Sequence, residues 1–157
     1  MKKLEGLLVL SVMFSLISCS MSAKDNNPQS DNNITKGEVI VLDKADFIAK
    51  VFDYEKNTDN WVYEGDKPCI VDFYADWCGP CKKISPILKD MAILYKNDIV
   101  VYKVNVDNEK ELANVFGIQS IPTLLFIPKE GVPQIAQGAL PREEFVKQIN
   151  NYLLGKE

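Results

Sequence analysis

Two cysteines three residues apart, Cys78 and Cys81, stand in the stretch Ala75-Asp76-Trp77-Cys78-Gly79-Pro80-Cys81-Lys82. A pair spaced this way can close and reopen a disulfide, or it can supply half of a zinc site. Structural zinc takes about four ligands. The chain has no histidine, and its other cysteines are Cys19 and Cys69. Cys69 lies about 20 Å of extended strand before the loop. The pair is therefore read as a redox dithiol, with no metal and no cofactor beyond its own disulfide. That chemistry needs one thiol that ionises readily, because the thiolate is the nucleophile, and a second thiol placed to displace it.

The flanking segments are suited to position such a pair. An apolar run from Cys69 to Ala75 leads in, and an amphipathic segment from Gly79 to about Lys96 leads away. This reads as strand, short loop and helix, with Cys78 at the helix N-terminus. Helix N–H groups and the dipole favour negative charge there, so Cys78 is the expected nucleophile. Cys81, one turn on and on the same face, is expected to be more buried and to resolve the mixed disulfide. Pro80 suits the first turn, where a missing N–H costs nothing. Ile84, Ile87, Leu88, Met91 and Leu94 form the expected core stripe of this helix, and Pro86 inside it is expected to kink it. Asp72 is a carboxyl inside an apolar strand, where burial should raise its pKa.

The rest of the chain alternates strand and helix. Glu38–Leu42 reads as a strand and Asp43 as the cap of a helix carrying Phe47, Ile48, Val51 and Phe52. Asn57–Lys67 is a polar loop in which Trp61 is expected to pack over the core. Ile99–Val106 reads as a buried strand. Asp107 or Asn108 is expected to cap a short helix with Leu112, Val115 and Phe116, which Gly117 ends. Thr123–Ile127 and Val132–Gln137 read as a hairpin about Pro128–Gly131. Pro141 opens a last helix with Phe145, Ile149, Tyr152 and Leu153 on its core face. The order βαβαβαββα implies an α/β sheet with helices on both faces.

Trp77-Cys78-Gly79-Pro80-Cys81-Lys82 resembles the active-site motif of the thioredoxin family. Asp72, Pro86, Lys103, Ile121-Pro122-Thr123 and Gly138-Ala139-Leu140 match its other marks in order, so the resemblance spans roughly Glu38 to Leu154. It implies a thioredoxin fold with a mixed five-stranded sheet whose last hairpin is antiparallel. It also implies a cis bond before Pro122 and proton transfer by Asp72 at the buried cysteine. Lys103 then either partners Asp72 or is an exposed stem. Gly79, Pro80 and Pro122 support the site. Trp77, Pro80, Ile121, Pro122, Gly138 and Ala139 form a rim for an extended substrate. The activity implied is a general protein-disulfide oxidoreductase, mainly a reductase, because Gly79-Pro80 and the Ile before Pro122 resemble the reducing members. Its partners would be disulfide-containing proteins and an upstream thiol donor, either a thioredoxin reductase or a membrane thiol relay, and it would act as a monomer. A cytochrome-maturation reductase usually carries an insertion before the cis-proline, and Pro122 follows Cys81 at the spacing of a plain thioredoxin. The other class of function is a non-catalytic binding module, against which the intact Cys78 and Cys81 argue.

Composition sets the remaining bounds. The chain has 157 residues, a net charge of −4 and a pI near 5.0, which argues against a nucleic-acid partner. Lys2 and Lys3 followed by the apolar run Leu7–Ile17 read as a signal peptide over residues 1–18, too short to span a bilayer. Leu16-Ile17-Ser18-Cys19 resembles a bacterial lipoprotein processing site. Residues 19–37 then form a lipidated, disordered tether attached through Cys19, and residues 38–157 the folded domain. The expected location is the bacterial cell envelope, as a periplasmic lipoprotein on either the inner or the outer membrane. Cys69 is read as a small buried hydrophobe.

Overall fold

The structure, a computed structural model, describes residues 37–156. The expected signal peptide, Cys19 and nearly all of the expected tether lie outside the described residues. No helix among the described residues is long and apolar enough to cross a membrane.

β2 (Cys69–Tyr74) is the central strand, and its first five residues are buried. An almost unbroken apolar run is what a strand covered on both faces requires. β3 (Val100–Asn105) pairs with it in parallel, and β4 (Thr123–Ile127) pairs on its other side in antiparallel. β1 (Val39–Val41) and β5 (Gln134–Gln137) close the edges, giving the order β1-β3-β2-β4-β5. The mixed five-stranded sheet of the thioredoxin fold is therefore present.

Alternation along β2 divides the core in two. Cys69, Val71 and Phe73 pack with Phe47 and Val51 of the α1 segment (helix Lys44–Lys50) and Leu112 of α3 (Lys110–Val115). Ile70 points the other way. It packs with Ile84, Leu88 and Met91 of α2 (Gly79–Leu94) and with Phe145, Ile149 and Leu153 of the last helix. That helix begins as α4 (Arg142–Lys147) and continues as a π-helical segment, Gln148–Leu153. Helices thus cover both faces. Asp43 caps α1 by accepting the Asp46 N–H at 2.8 Å. Gly117, at φ +60°, ends α3 in the left-handed region that glycine enters without cost.

Several expectations fail locally. Leu94 is 58% exposed and Val115 is 49% exposed, although both were expected on core faces. Ala92 is buried instead near the end of α2. The N-cap of α3 is Glu109, without a side-chain bond, rather than Asp107 or Asn108. β5 starts at Gln134, so Val132 precedes the strand and is exposed. In the Asn57–Lys67 loop, Trp61 stacks on Phe52 with ring centroids 4.4 Å apart, the packing role expected of it. The Lys129 ammonium donates to the Gly65 carbonyl at 2.7 Å and fastens this loop to the β4–β5 hairpin.

Leu88 is fully buried. Leu88→Ala should cost about 2–5 kcal/mol in urea unfolding, whereas Leu94→Ala should stay within about 0.5 kcal/mol. Equal losses at the two positions would contradict this placement of the α2 faces.

Candidate active site

At the end of β2 the chain turns, and the Cys78 N–H donates to the Ala75 carbonyl at 3.1 Å. Cys78 is the N-cap of α2, with extended backbone. Its sulfur accepts the Cys81 N–H at 3.2 Å, the bond that a serine or aspartate oxygen makes at other helix starts. Gly79 and Pro80 form the exposed first turn, where proline's missing donor leaves nothing unsatisfied. The two sulfurs are bonded at 2.04 Å, with Cα atoms 5.3 Å apart.

Exposure does not separate the two cysteines as expected, since each is 4% exposed. Their surroundings do. The Cys78 sulfur lies 3.7 Å from the Ile121 carbonyl oxygen, a contact and not a hydrogen bond while the disulfide is closed. Cys81 instead lines a pocket of about 200 Å³ with Tyr74, Asp76, Lys82, Ser85 and Lys103.

Because β4 is antiparallel to β2, it begins beside the end where β2 stops, and this brings the Ile121-Pro122 segment to the cysteines. The Ile121–Pro122 bond is cis. Pro122 is buried, and Ile121 is half-buried against the cysteine pair. Gly138, at φ +87°, donates its N–H to the Pro122 carbonyl at 2.8 Å. That bond draws the chain after β5 to the same edge, with Ala139 exposed beside it. Trp77 is 69% exposed.

A polar network beside the site, through Asp107, Asn105 and Asp76, is foreshadowed by no motif in the sequence. The Trp77 indole N–H donates to the Asp107 carboxylate at 2.9 Å. The Asp107 N–H donates to the Asn105 side-chain oxygen at 3.0 Å, and the Asn105 amide donates to the Asp76 carboxylate at 3.4 Å. This chain of bonds fixes the indole over the loop and explains why Asp107 does not cap α3. The available signal was Asn105, a buried amide ending an otherwise apolar strand.

Asp72 is 1% exposed, and neither of its carboxyl oxygens has a hydrogen-bond partner. Burial pushes its pKa up to about 7, against a smaller lowering from the Lys103 charge. Lys103 sits opposite Asp72 in the β2–β3 register. Its ammonium nevertheless stands over the Tyr74 ring, 3.6 Å from the centroid. Lys103 is thus neither a contact ion-pair partner of Asp72 nor a free stem. Cys69 is fully buried and free, and burial raises its thiol to about 12, which keeps it protonated. Among the described residues, no group of three or more metal-ligating side chains comes together.

The thioredoxin family profile matches residues 49–151. The chain belongs to the thioredoxin family. It is 46% identical over 113 residues to a thioredoxin of Borreliella burgdorferi, covering 72% of this chain and 96% of that one. A thioredoxin of Haemophilus influenzae is 35% identical over 116 residues, 74% of this chain and 98% of its own. A third, from Chlorobaculum thiosulfatiphilum, is 36% identical over 99 residues, 63% of this chain and 92% of its own. As a member of that family the protein is a protein-disulfide oxidoreductase, and the family in general reduces protein disulfides with a redox disulfide of its own.

The unpaired Asp72 makes stability depend on pH. In the unfolded chain its carboxyl ionises near the ordinary 3.8, and in the fold near 7. Between these values the folded state holds a proton that the unfolded state has released. Stability therefore falls as pH rises from about 4 to about 7 and levels above, by about 4 kcal/mol in total. Asp72→Asn should lose this slope, so its stability relative to the wild type should improve by a few kcal/mol between pH 4.5 and 8 in urea unfolding. A difference that does not change with pH would contradict the assignment.

Proposed function

We propose that this protein reduces disulfides in extended protein segments from a membrane-tethered position outside the cytoplasm, using Cys78 as the attacking and Cys81 as the resolving thiol. The observation that carries the reading is the place of the Cys78 sulfur. It faces a helix N–H on one side and the backbone edge at Ile121 on the other. The first favours the thiolate, and the second offers main-chain pairing to a substrate strand. Trp77, Pro80, Ile121, Pro122, Gly138 and Ala139 form the rim such a strand would touch.

In the reductive direction the Cys78 thiolate attacks one sulfur of the substrate disulfide, whose other sulfur leaves as a thiolate and takes up a proton. Cys81 passes its proton through water to the Asp72 carboxylate and attacks the Cys78 sulfur, releasing the second substrate sulfur as a thiolate. Two electrons pass to the substrate; one of its two protons comes from solvent and the other is the Cys81 proton released again by Asp72, and Cys78–Cys81 closes as a disulfide. An external thiol donor must then reduce it. Gly79-Pro80 between the cysteines supports a reducing bias. Only β3 and α3 lie between α2 and the Ile121-Pro122 segment, which gives no support to a specialised cytochrome-maturation role. Both thiols are intact and within bonding distance, so a purely non-catalytic binding role finds no support either.

Tethering rests on Leu16-Ile17-Ser18-Cys19 and the polar stretch after it. A single acyl chain holds a membrane only weakly, so stable attachment through Cys19 calls for more than one.

Cys81→Ser should accumulate mixed disulfides with envelope proteins that reductant dissolves, while Cys78→Ser should give few or none. Adducts on Cys81 in the Cys78→Ser protein, with none in the other, would reverse the assignment. Cys19→Ala should release the domain from the membrane fraction or leave an unprocessed precursor. A wild-type protein that is soluble and carries no lipid mass at Cys19 would defeat the tether.

A further inference from the structure

Ile70, Asp72 and Tyr74 alternate along β2 and so share the face turned to α2, with Lys103 on the neighbouring strand opposite Asp72. The Lys103 ammonium therefore has two possible seats. One is the carboxylate directly across the ladder, and the other is the aromatic ring one diagonal step away. It takes the ring, 3.6 Å from the centroid. A cation this close to a ring face is held by the ring's electron density, and partial desolvation strengthens the hold. Both Asp72 oxygens are left without a partner. Tyr74, Lys103 and Cys81 all line the same pocket.

We propose that Tyr74 is a positioning residue: its ring holds the Lys103 ammonium off the Asp72 carboxyl, which stays unpaired and free to exchange a proton with Cys81. The role rests on the proton transfer proposed above for Asp72. An ammonium seated on Asp72 would fix the carboxyl in its ionised form. It would then be a weak proton acceptor and would have no proton to return in the oxidising direction. The ring keeps the charge near enough to temper the effect of burial but too far to pair. The other ionisable groups about this site are Cys81 and Lys82 from α2 and Asp76 from the loop. β4 places uncharged Leu124 opposite Asp72.

The test is a carbon-13 NMR titration of the Asp72 carboxyl in the full chain, with Cys78–Cys81 oxidised so that neither thiol titrates. Tyr74→Leu should lower the Asp72 midpoint by about one pH unit or more, a tenfold change in its ionisation constant, as Lys103 moves to the carboxylate. Tyr74→Phe, which keeps the ring, should stay within a few tenths of a unit of the wild type. Placed in a Lys103→Met background, Tyr74→Leu should no longer lower the midpoint. If Tyr74→Leu does not fold, Tyr74→Met, with similar reach and no ring, carries the same expectation. An unmoved midpoint would overturn the proposal. So would an equal drop in Tyr74→Phe, or a drop that persists without Lys103. The pH profile of insulin-disulfide reduction by the same variants tests the Asp72 role separately. If the midpoint moves and the rate profile does not, the hold of Tyr74 on Lys103 stands and the proton role of Asp72 fails.

Discussion

The arrangement depends on one constraint: an ionised sulfur beside an apolar sheet needs donors that are already in place. The start of α2 supplies them, with the Cys81 N–H on the Cys78 sulfur at 3.2 Å. The surrounding fold serves that placement. β2 is buried on both faces and delivers the loop at a fixed height. α2 is anchored by Ile84, Leu88 and Met91, so its first turn cannot drift. The antiparallel direction of β4 brings a second segment, Ile121-Pro122, to the same end of the sheet. A parallel β4 would have put that segment at the opposite end, far from the sulfur.

Asp72 is the cost of this design. A side chain of similar shape and no charge would suit the centre of the sheet better, and the fold offers neither carboxyl oxygen a partner. Its neighbours do not rescue it by pairing. Lys103 contributes a field, Leu124 contributes bulk, and the Asn105 amide is committed to Asp76. A carboxyl in such a place is balanced between two protonation states near neutral pH. That balance suits a group that must take a proton and give it back.

Most of the fold is legible in the chain, and each miss has its own physical cause. β2 and α2 were legible because a six-residue apolar run and a four-turn stripe are long enough to show their period. The Asp43 cap was legible because the bond spans only three residues. Asp107 was misread as a cap because its carboxylate goes to Trp77, a partner 30 residues away that no local pattern reveals. Leu94 and Val115 were misread because they end their helices, where one more turn of stripe has no sheet left to cover. β5 was placed too early because an edge strand whose residues are mostly exposed has little alternation to read. The direction of β4 came from the family resemblance alone, since periodicity carries no sense of direction. At the site, the cysteines and the cis-proline were legible as motifs. The cation over Tyr74 was not, because choosing between two seats for one ammonium requires the distances.

The loop of residues 57–67 joins β2 at its beginning, while the cysteines follow its end. Six residues of strand, about 20 Å, stand between them. The loop is tied down by its own contacts, Trp61 on Phe52, Gly65 on Lys129 and Tyr63 on the buried Cys69, and among the described residues none of its hydrogen bonds reaches Cys78 or Cys81. Lineages could therefore lengthen, shorten or redecorate this end of the molecule without selection on the thiols resisting the change. The same insulation makes it the natural place for an engineer to graft an epitope or a fluorophore onto a working oxidoreductase.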